Sequence, residues 1–485
     1  MNPLGTPQTR CRAGTARADI TPPVGIYHRA WGAATHDRAT GVHRPLLADV
    51  LWMEPLAGGH AQGQFLVMLD HCIHEKADVE RMTAAICRAS GAAPAQVQLA
   101  VSHTHAAGLM LRDRAGYPGG ELIGPYLDSV AGCLGELADQ AMHDARSATF
   151  LYGWGRCNLA AHRDAWDERT GQFVCGFDPA GPADDTVLVA RIVADDGGVV
   201  ADVVNYACHP TTLAWDNTAI SPDYVGALRE TVERHSGAPC LFLQGASGDL
   251  GPREGFVGDP AVADRNGRQL AFASLAALES LPPPGTHYVY QGPIVSGAVI
   301  GTWRHEPLAQ RVCESQARWH CRQWTMDLPY RADLPAAEEV RTQQAHWQAE
   351  ETRARAEGNL VAARDCRARV EQTTRWLARL GEIPPGEAFP LRITLWRLGD
   401  AVWLFVPGEH YQALQTSLRV RFAGLPIVVV TLTGGWLPGY VPTAATYGKG
   451  IYQESIALVA PGCAEALVEE IASRIDSGEN ERADG

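Results

Sequence analysis

Short apolar runs of strand length, each stopping at polar loop residues and separated by helically spaced stretches, constrain this chain's fold most. Leu46–Pro55 and Gln64–Leu69 read as strands, the second closing on Asp70-His71. Residues 76–90 carry helix signals, Gln96–Val101 is a strand again, and from Pro125 to His143 apolar residues (Tyr126, Val130, Leu134, Leu137) recur at helical intervals. Strand side chains alternate faces, whereas helical ones return every three or four residues. The alternation predicts an α/β class: a large mixed β-sheet domain with flanking helices. From Ser147 the pattern turns β-rich (148–154, 186–193 and 199–207), with a hairpin signal at Asp195-Asp196-Gly197-Gly198. Helices follow at 221–236 and 264–281 and strands at 239–244, 391–398, 401–405 and 426–432. Between them, residues 335–380 are dense in Ala, Arg, Glu and Gln and broken once at Gly358-Asn359, which predicts an inserted helical hairpin. It reads as a surface-packed insertion, with a lid over a site or a homo-oligomer contact as the functional alternatives.

Composition narrows the class further. With 485 residues, 46% hydrophobic and 20% charged, the chain is globular in type. The net charge of −14 offers no basic footprint for nucleic acid, and no apolar run reaches the roughly 18–20 residues of a membrane span. Residues 1–12 read as a disordered leader without the apolar core of a signal peptide, 13–475 as the folded domain, and 476–485 as a disordered tail. The twelve cysteines form no C-x-x-C pair, so reduced thiols and a cytoplasmic location are expected.

Chemistry gathers just beyond strand ends, where ligands bind in open α/β sheets. Ser102-His103-Thr104-His105 follows the 96–101 strand, and residues two apart on a strand share a face. Imidazole is a common metal ligand and proton carrier, although an H-x-H pair read alone also fits two ordinary loop or core histidines. His209 follows another strand before Pro210, and Glu409 follows Val402–Val406 at a Pro-Gly turn. Two glycine-rich loops add Tyr440 and the run Gly248-Asp249-Leu250-Gly251-Pro252-Arg253. Two histidines and a carboxylate are a ligand set for catalytic zinc. A long polar stretch, 156–185, carries His162, Arg163 and Asp164.

From about residue 13 to 475 the chain resembles the catalytic domain of the neutral (alkaline, non-lysosomal) ceramidase family. The resemblance rests on Gly14–Pro22, Ser102–His105, Ala207-Cys208-His209-Pro210, Gln244–Asp249, Pro407-Gly408-Glu409 and Gly439–Thr443. It implies one zinc per chain held by His103, His209, Glu409 and Tyr440, with His105 handling protons beside it and Arg163 lining the pocket. Two departures stand out. Gly251 replaces the serine that the family carries in G-D-V-S-P, so attack falls to zinc-bound water unless Ser247 substitutes. No C-terminal immunoglobulin-like domain of the kind the family carries is expected either.

The expectation is a zinc-dependent hydrolase of an amide bond in a small, soluble, possibly anionic substrate, attacked by metal-bound water. The alternatives are a ceramidase-like lipid amidase, an ester or lactone hydrolase, or a non-catalytic binding protein of the same fold. His105, Tyr440, Arg163 and Asp249 are the catalytic candidates. Asp249 either orients a ligand histidine or caps a turn. Arg163 and Arg253, beside Gly251, are candidates to bind a substrate carboxylate, since guanidinium forks match that group.

Overall fold

The computed structural model describes residues 4–480. Its centre is a sheet of eight strands: Gln8–Asp19 (β1), Leu47–Glu54 (β2), Gln64–Leu69 (β3), Val97–Val101 (β4), Arg146–Arg156 (β5), Thr186–Ala194 (β6), Val199–Tyr206 (β7) and Cys240–Gln244 (β8). They lie in the order β8-β7-β6-β5-β1-β2-β3-β4. The inner pairs are antiparallel, whereas the outermost, β8 with β7 and β3 with β4, are parallel. Parallel neighbours need a crossover. Helix Lys76–Ser90 (α1) makes the first, with Ile123–His143 (α2) packed beside it, and Tyr224–Ser236 (α3) makes the second, with Pro260–Glu279 (α4) alongside. Every residue of β3 and β4 is buried, as a strand covered on both faces requires.

A second sheet, Trp319–Pro329 (β9), Ala388–Leu398 (β10), Ala401–Phe405 (β11) and Ile427–Val430 (β12), runs in chain order. The predicted hairpin, Ala337–Ala356 (α5) and Leu360–Glu382 (α6), is inserted between β9 and β10. β11 and β12 are parallel and joined through Ala413–Arg421 (α7), and the chain ends on Cys463–Asn480 (α8). Phe150, Leu188 and Leu241 of the first sheet meet Trp396, Trp403 and Phe405 of the second in one buried layer. Met82 and Leu134 cover the outer face of the first sheet, and Leu467 and Ile471 that of the second. The result is a four-layer arrangement of helices, sheet, sheet and helices. The first sheet curls until β8 touches β3 and β4, so its two parallel edges come together.

Three expectations change. β1 starts at Gln8 and pairs with β5 from there, Gln8 opposite Leu151, so the disordered leader expected at 1–12 is wrong from Gln8 onward. α8 runs to Asn480, into the segment expected as a disordered tail; residues 1–3 and 481–485 lie outside the described residues. The long loop at 156–185 contains short strands, Ala160–His162 paired with Leu250–Pro252, and Asp164–Asp167 paired with Gln172–Cys175. All twelve cysteines are free thiols. Among the described residues, no helix is long and apolar enough to cross a membrane.

Candidate active site

Each of the three parallel pairs delivers one polar side chain past a strand end. His103 follows β4, His209 follows β7 and Glu409 follows β11. Curling of the first sheet and stacking of the second bring them to one point. The Nε2 atoms of His103 and His209 are 3.2 Å apart, and Glu409 Oε2 lies 3.2 Å from the first and 3.0 Å from the second. Tyr440 joins them through a two-residue parallel bridge with Glu409, its hydroxyl 3.4 Å from His209 Nε2.

The backbone holds this cluster closely. His103 has φ +68°, a left-handed conformation that a side chain with a Cβ adopts at a cost. Its amide donates to His71 O at 2.9 Å. Glu409 donates its amide to Gly439 O at 2.8 Å. Gly248 must be glycine here: a Cβ would stand 2.7 Å from Glu409 O and 2.9 Å from His410 O.

Both histidines spend Nδ1 on a backbone carbonyl, His103 on Cys72 O at 2.7 Å and His209 on Ser247 O at 2.6 Å. A carbonyl only accepts, so each Nδ1 carries the proton and each Nε2 presents its lone pair to the other and to the carboxylate. Only a proton or a cation between them satisfies that convergence. Without a cation, burial drives His209 down to about 3, while at His103 the Cys72 thiol and Glu409 outweigh burial and raise it to about 10. Burial works against ionised Glu409 too, but the two imidazoles hold it well below the usual carboxylate range. A divalent ion satisfies all three donors at once, which fits zinc by donor type. Cys72 and His105 form a second group with His103. There Cys72 Sγ stands 3.9 Å from His103 Nδ1, the atom already bonded to Cys72 O, so the His103–His209–Glu409 set is the better ion site.

His105 lies beside the cluster, its ring 4.9 Å from that of His103 and 5.0 Å from Trp31. Its Nε2 is buried without a partner, and burial together with the two neighbouring imidazoles keeps the ring neutral. Arg163 donates to Gly248 O at 2.6 Å and to the Tyr440 hydroxyl at 2.9 Å, which fixes the phenol. Its Nε and Nη2 donors are therefore committed to the protein.

Other sequence candidates fall elsewhere. Asp249 accepts from Gln412 N at 2.7 Å and Gln412 Nε2 at 2.9 Å, so it ties two loops together and orients neither candidate ligand. Arg253 is exposed, stacks on Phe177 at 5.9 Å, and lies outside the cavity lining. Ser247 sits behind His209, its Oγ 3.3 Å from Nδ1, on the side of the ring away from the cluster. Gly251 also lies outside the cavity lining; a Cβ there would meet Thr211 Oγ1 at 3.7 Å and Arg163 Cδ at 3.8 Å, ordinary contact distances.

A cavity of about 50 Å³ opens beside His103, His105, Glu409 and Tyr440. Its apolar wall includes Ile73, Leu109, Leu111 and Ile456. Its opposite side holds Arg114, which belongs to the polar stretch after the His-Thr-His loop, and Arg375 and Arg379 from α6. The hairpin expected as a surface insertion thus lines the cavity.

Fold and site together define a mixed α/β protein with a His–His–Glu–Tyr cluster at strand ends, competent to hold a metal. The fold itself is that of neutral ceramidase. The chain matches the solved neutral ceramidase from Pseudomonas aeruginosa with a TM-score of 0.61 and 16% identity, over 96% of this chain and 74% of that one. It matches a ceramidase complexed with C2 at 0.62, with the same identity and coverage. No family model and no curated protein matches the sequence.

Proposed function

We propose that this protein is a metal-dependent hydrolase that cleaves an amide bond of a compact, soluble substrate. The observation that carries the reading is the convergence of two Nε2 lone pairs and one carboxylate oxygen, with both Nδ1 protons engaged by carbonyls. His103, His209 and Glu409 would hold one zinc ion, with Tyr440 as the fourth protein group. Such an ion, when bound, acts as a Lewis acid toward a carbonyl oxygen and lowers the pKa of water to roughly 7. The amide chemistry is supported by the structural neighbours, whose names assign them ceramide as substrate.

The chain's own residues supply the remaining functions. Tyr440, fixed by Arg163, points a hydroxyl at the cluster and can donate to the developing oxyanion. The open Nε2 of His105 takes a proton as water adds to the carbonyl and passes it to the amine as the C–N bond breaks. The products are a carboxylic acid and a free amine.

Drug-sized ligands occupy pockets of about 300–1,000 Å³. A cavity of about 50 Å³ with α6 along its wall suits a small substrate better than two long hydrocarbon chains. Esters and lactones would meet the same groups. Elemental analysis of the purified protein tests the reading, with about one zinc per chain expected. Protein that carries no metal and takes up no zinc rules it out.

A further inference from the structure

Three arginines line the cavity, Arg114, Arg375 and Arg379, and among the described residues two of them have a carboxylate partner and one has none. Arg114 and Arg375 share Glu371: Arg114 Nη1 reaches one oxygen at 3.1 Å and Arg375 Nε the other at 2.9 Å. Arg114 Nε also pairs with Asp113 at 3.3 Å. Arg375 also donates to Ala30 O at 2.6 Å. Arg379, one helical turn further along α6, has no such partner. Its side chain lines the cavity, the residue is only 8% exposed, and its Nε has no hydrogen-bond acceptor. Among the described residues no carboxylate pairs with it. Its guanidinium lies over the rings of Trp436 at 5.2 Å and Trp376 at 5.7 Å. The nearby acid Glu382 spends an oxygen on Trp436 Nε1 at 2.9 Å.

A cation over an aromatic face gains about 2 kcal/mol when desolvated, well short of the cost of burying an unpaired charge. A guanidinium kept in that state beside a reaction cavity lacks a counter-ion that the chain does not supply. Arg163 is not part of the cavity lining, and its Nε and Nη2 donate to Gly248 O and the Tyr440 hydroxyl. We propose that Arg379, backed by Arg375, is a subsite for a carboxylate on the substrate, so that the amide cleaved belongs to an N-acyl amino acid or a similar acid. A planar carboxylate matches the guanidinium fork with two parallel N–H bonds. The two tryptophans confine the fork, and the apolar wall of the cavity accepts the rest of the molecule. The identity of the cleaved bond rests on the hydrolase reading above, whereas the subsite rests on the cavity alone. In the reaction water adds across the C–N bond, the acyl carbon gains oxygen and the amine gains a proton. The carboxylate at Arg379 is unchanged.

The test separates the two readings. N-acetyl derivatives of glycine, leucine and phenylalanine are each paired with the N-acetyl alkylamine that lacks only the carboxyl group. Binding to the full-length protein is measured by calorimetry, and cleavage is followed separately. At least one acid should bind about tenfold or more tightly than its neutral partner. Arg379→Gln should abolish that preference, and Arg379→Lys should keep part of it. Equal affinity of acid and neutral partner for the wild type across all three pairs overturns the subsite, and needs no variant to fold. Preference undiminished in Arg379→Gln overturns it as well. If the acids bind with the expected preference and nothing is cleaved, the subsite stands and the hydrolase reading fails. If the neutral amides are cleaved as well as the acids, the hydrolase stands and the subsite fails.

Discussion

His103 combines two costs in one residue: a left-handed backbone, and an imidazole facing another imidazole at 3.2 Å. Strain of about 1–3 kcal/mol survives only where the surroundings over-determine it, and the His71 and Cys72 carbonyls do so here. His103→Ala should lower metal content by roughly tenfold or more, read by elemental analysis, while leaving the fold intact by circular dichroism. Tyr440→Phe removes only a hydroxyl. It should retain metal and lose about 10²–10³ in kcat, the cost of one oxyanion donor. A variant with full activity would take Tyr440 out of the reaction. Gly251→Ser should cost less than about 0.5 kcal/mol in chemical denaturation, because its Cβ meets nothing closer than 3.7 Å. A larger loss would show that the site is tighter than those distances imply.

At the scale of elements, the predictable parts were those with a local cause. β3, β4, β7 and β11 announce themselves as apolar runs, and the polar residue after each is visible for that reason. His103, His209 and Glu409 were therefore nameable individually, and Tyr440 through its glycine-rich loop. Their convergence was not, because it depends on the curl of a sheet whose order no local pattern encodes. The strands Thr286–Ser296, Ala298–Pro307 and β9 went unassigned, since alternating polar and half-exposed residues give little hydrophobic signal. The hairpin was legible as two helices and illegible as a cavity wall. Arg375 and Arg379 sit in a helix rich in arginine, where a guanidinium ordinarily faces water. What turns them inward is packing against residues far along the chain, Ala30 and Trp436. Glu371 is the clasp of that contact. Glu371→Gln leaves the Arg375 guanidinium without its carboxylate and Arg114 with Asp113 alone, and should cost about 3–5 kcal/mol in denaturant unfolding. A loss under about 1 kcal/mol would mean that the hairpin is not seated as described.

For the molecule as a whole, buried neutral histidines set the acid limit. Burial holds His28 and His74 down at about 4, each nearly inaccessible to solvent. Above the unfolded value of about 6.5 neither state is protonated and nothing is lost. As pH falls from there toward 4, the unfolded chain binds protons that the folded chain refuses, so stability drops. Each residue contributes on the order of 3 kcal/mol by pH 4. The thermal midpoint should therefore fall steadily between pH 6.5 and 4.5, with a shallower slope in His28→Gln. A flat profile across that range would contradict the burial of these rings.

The three candidate ligands lie 106, 200 and 306 positions apart in their pairwise separations, past the ends of two strands near opposite edges of one sheet and of one strand in a second sheet. No local segment contains more than part of the set, so an ion bound there is coupled to long-range tertiary packing and not to any local structure. Occupancy then works as a check on completed folding. Bound metal at about 100 times its dissociation constant adds about 2.7 kcal/mol to the global unfolding free energy and nothing to local fraying. Chelation should accordingly lower the midpoint of global unfolding, while hydrogen exchange at exposed termini and loop tips stays unchanged.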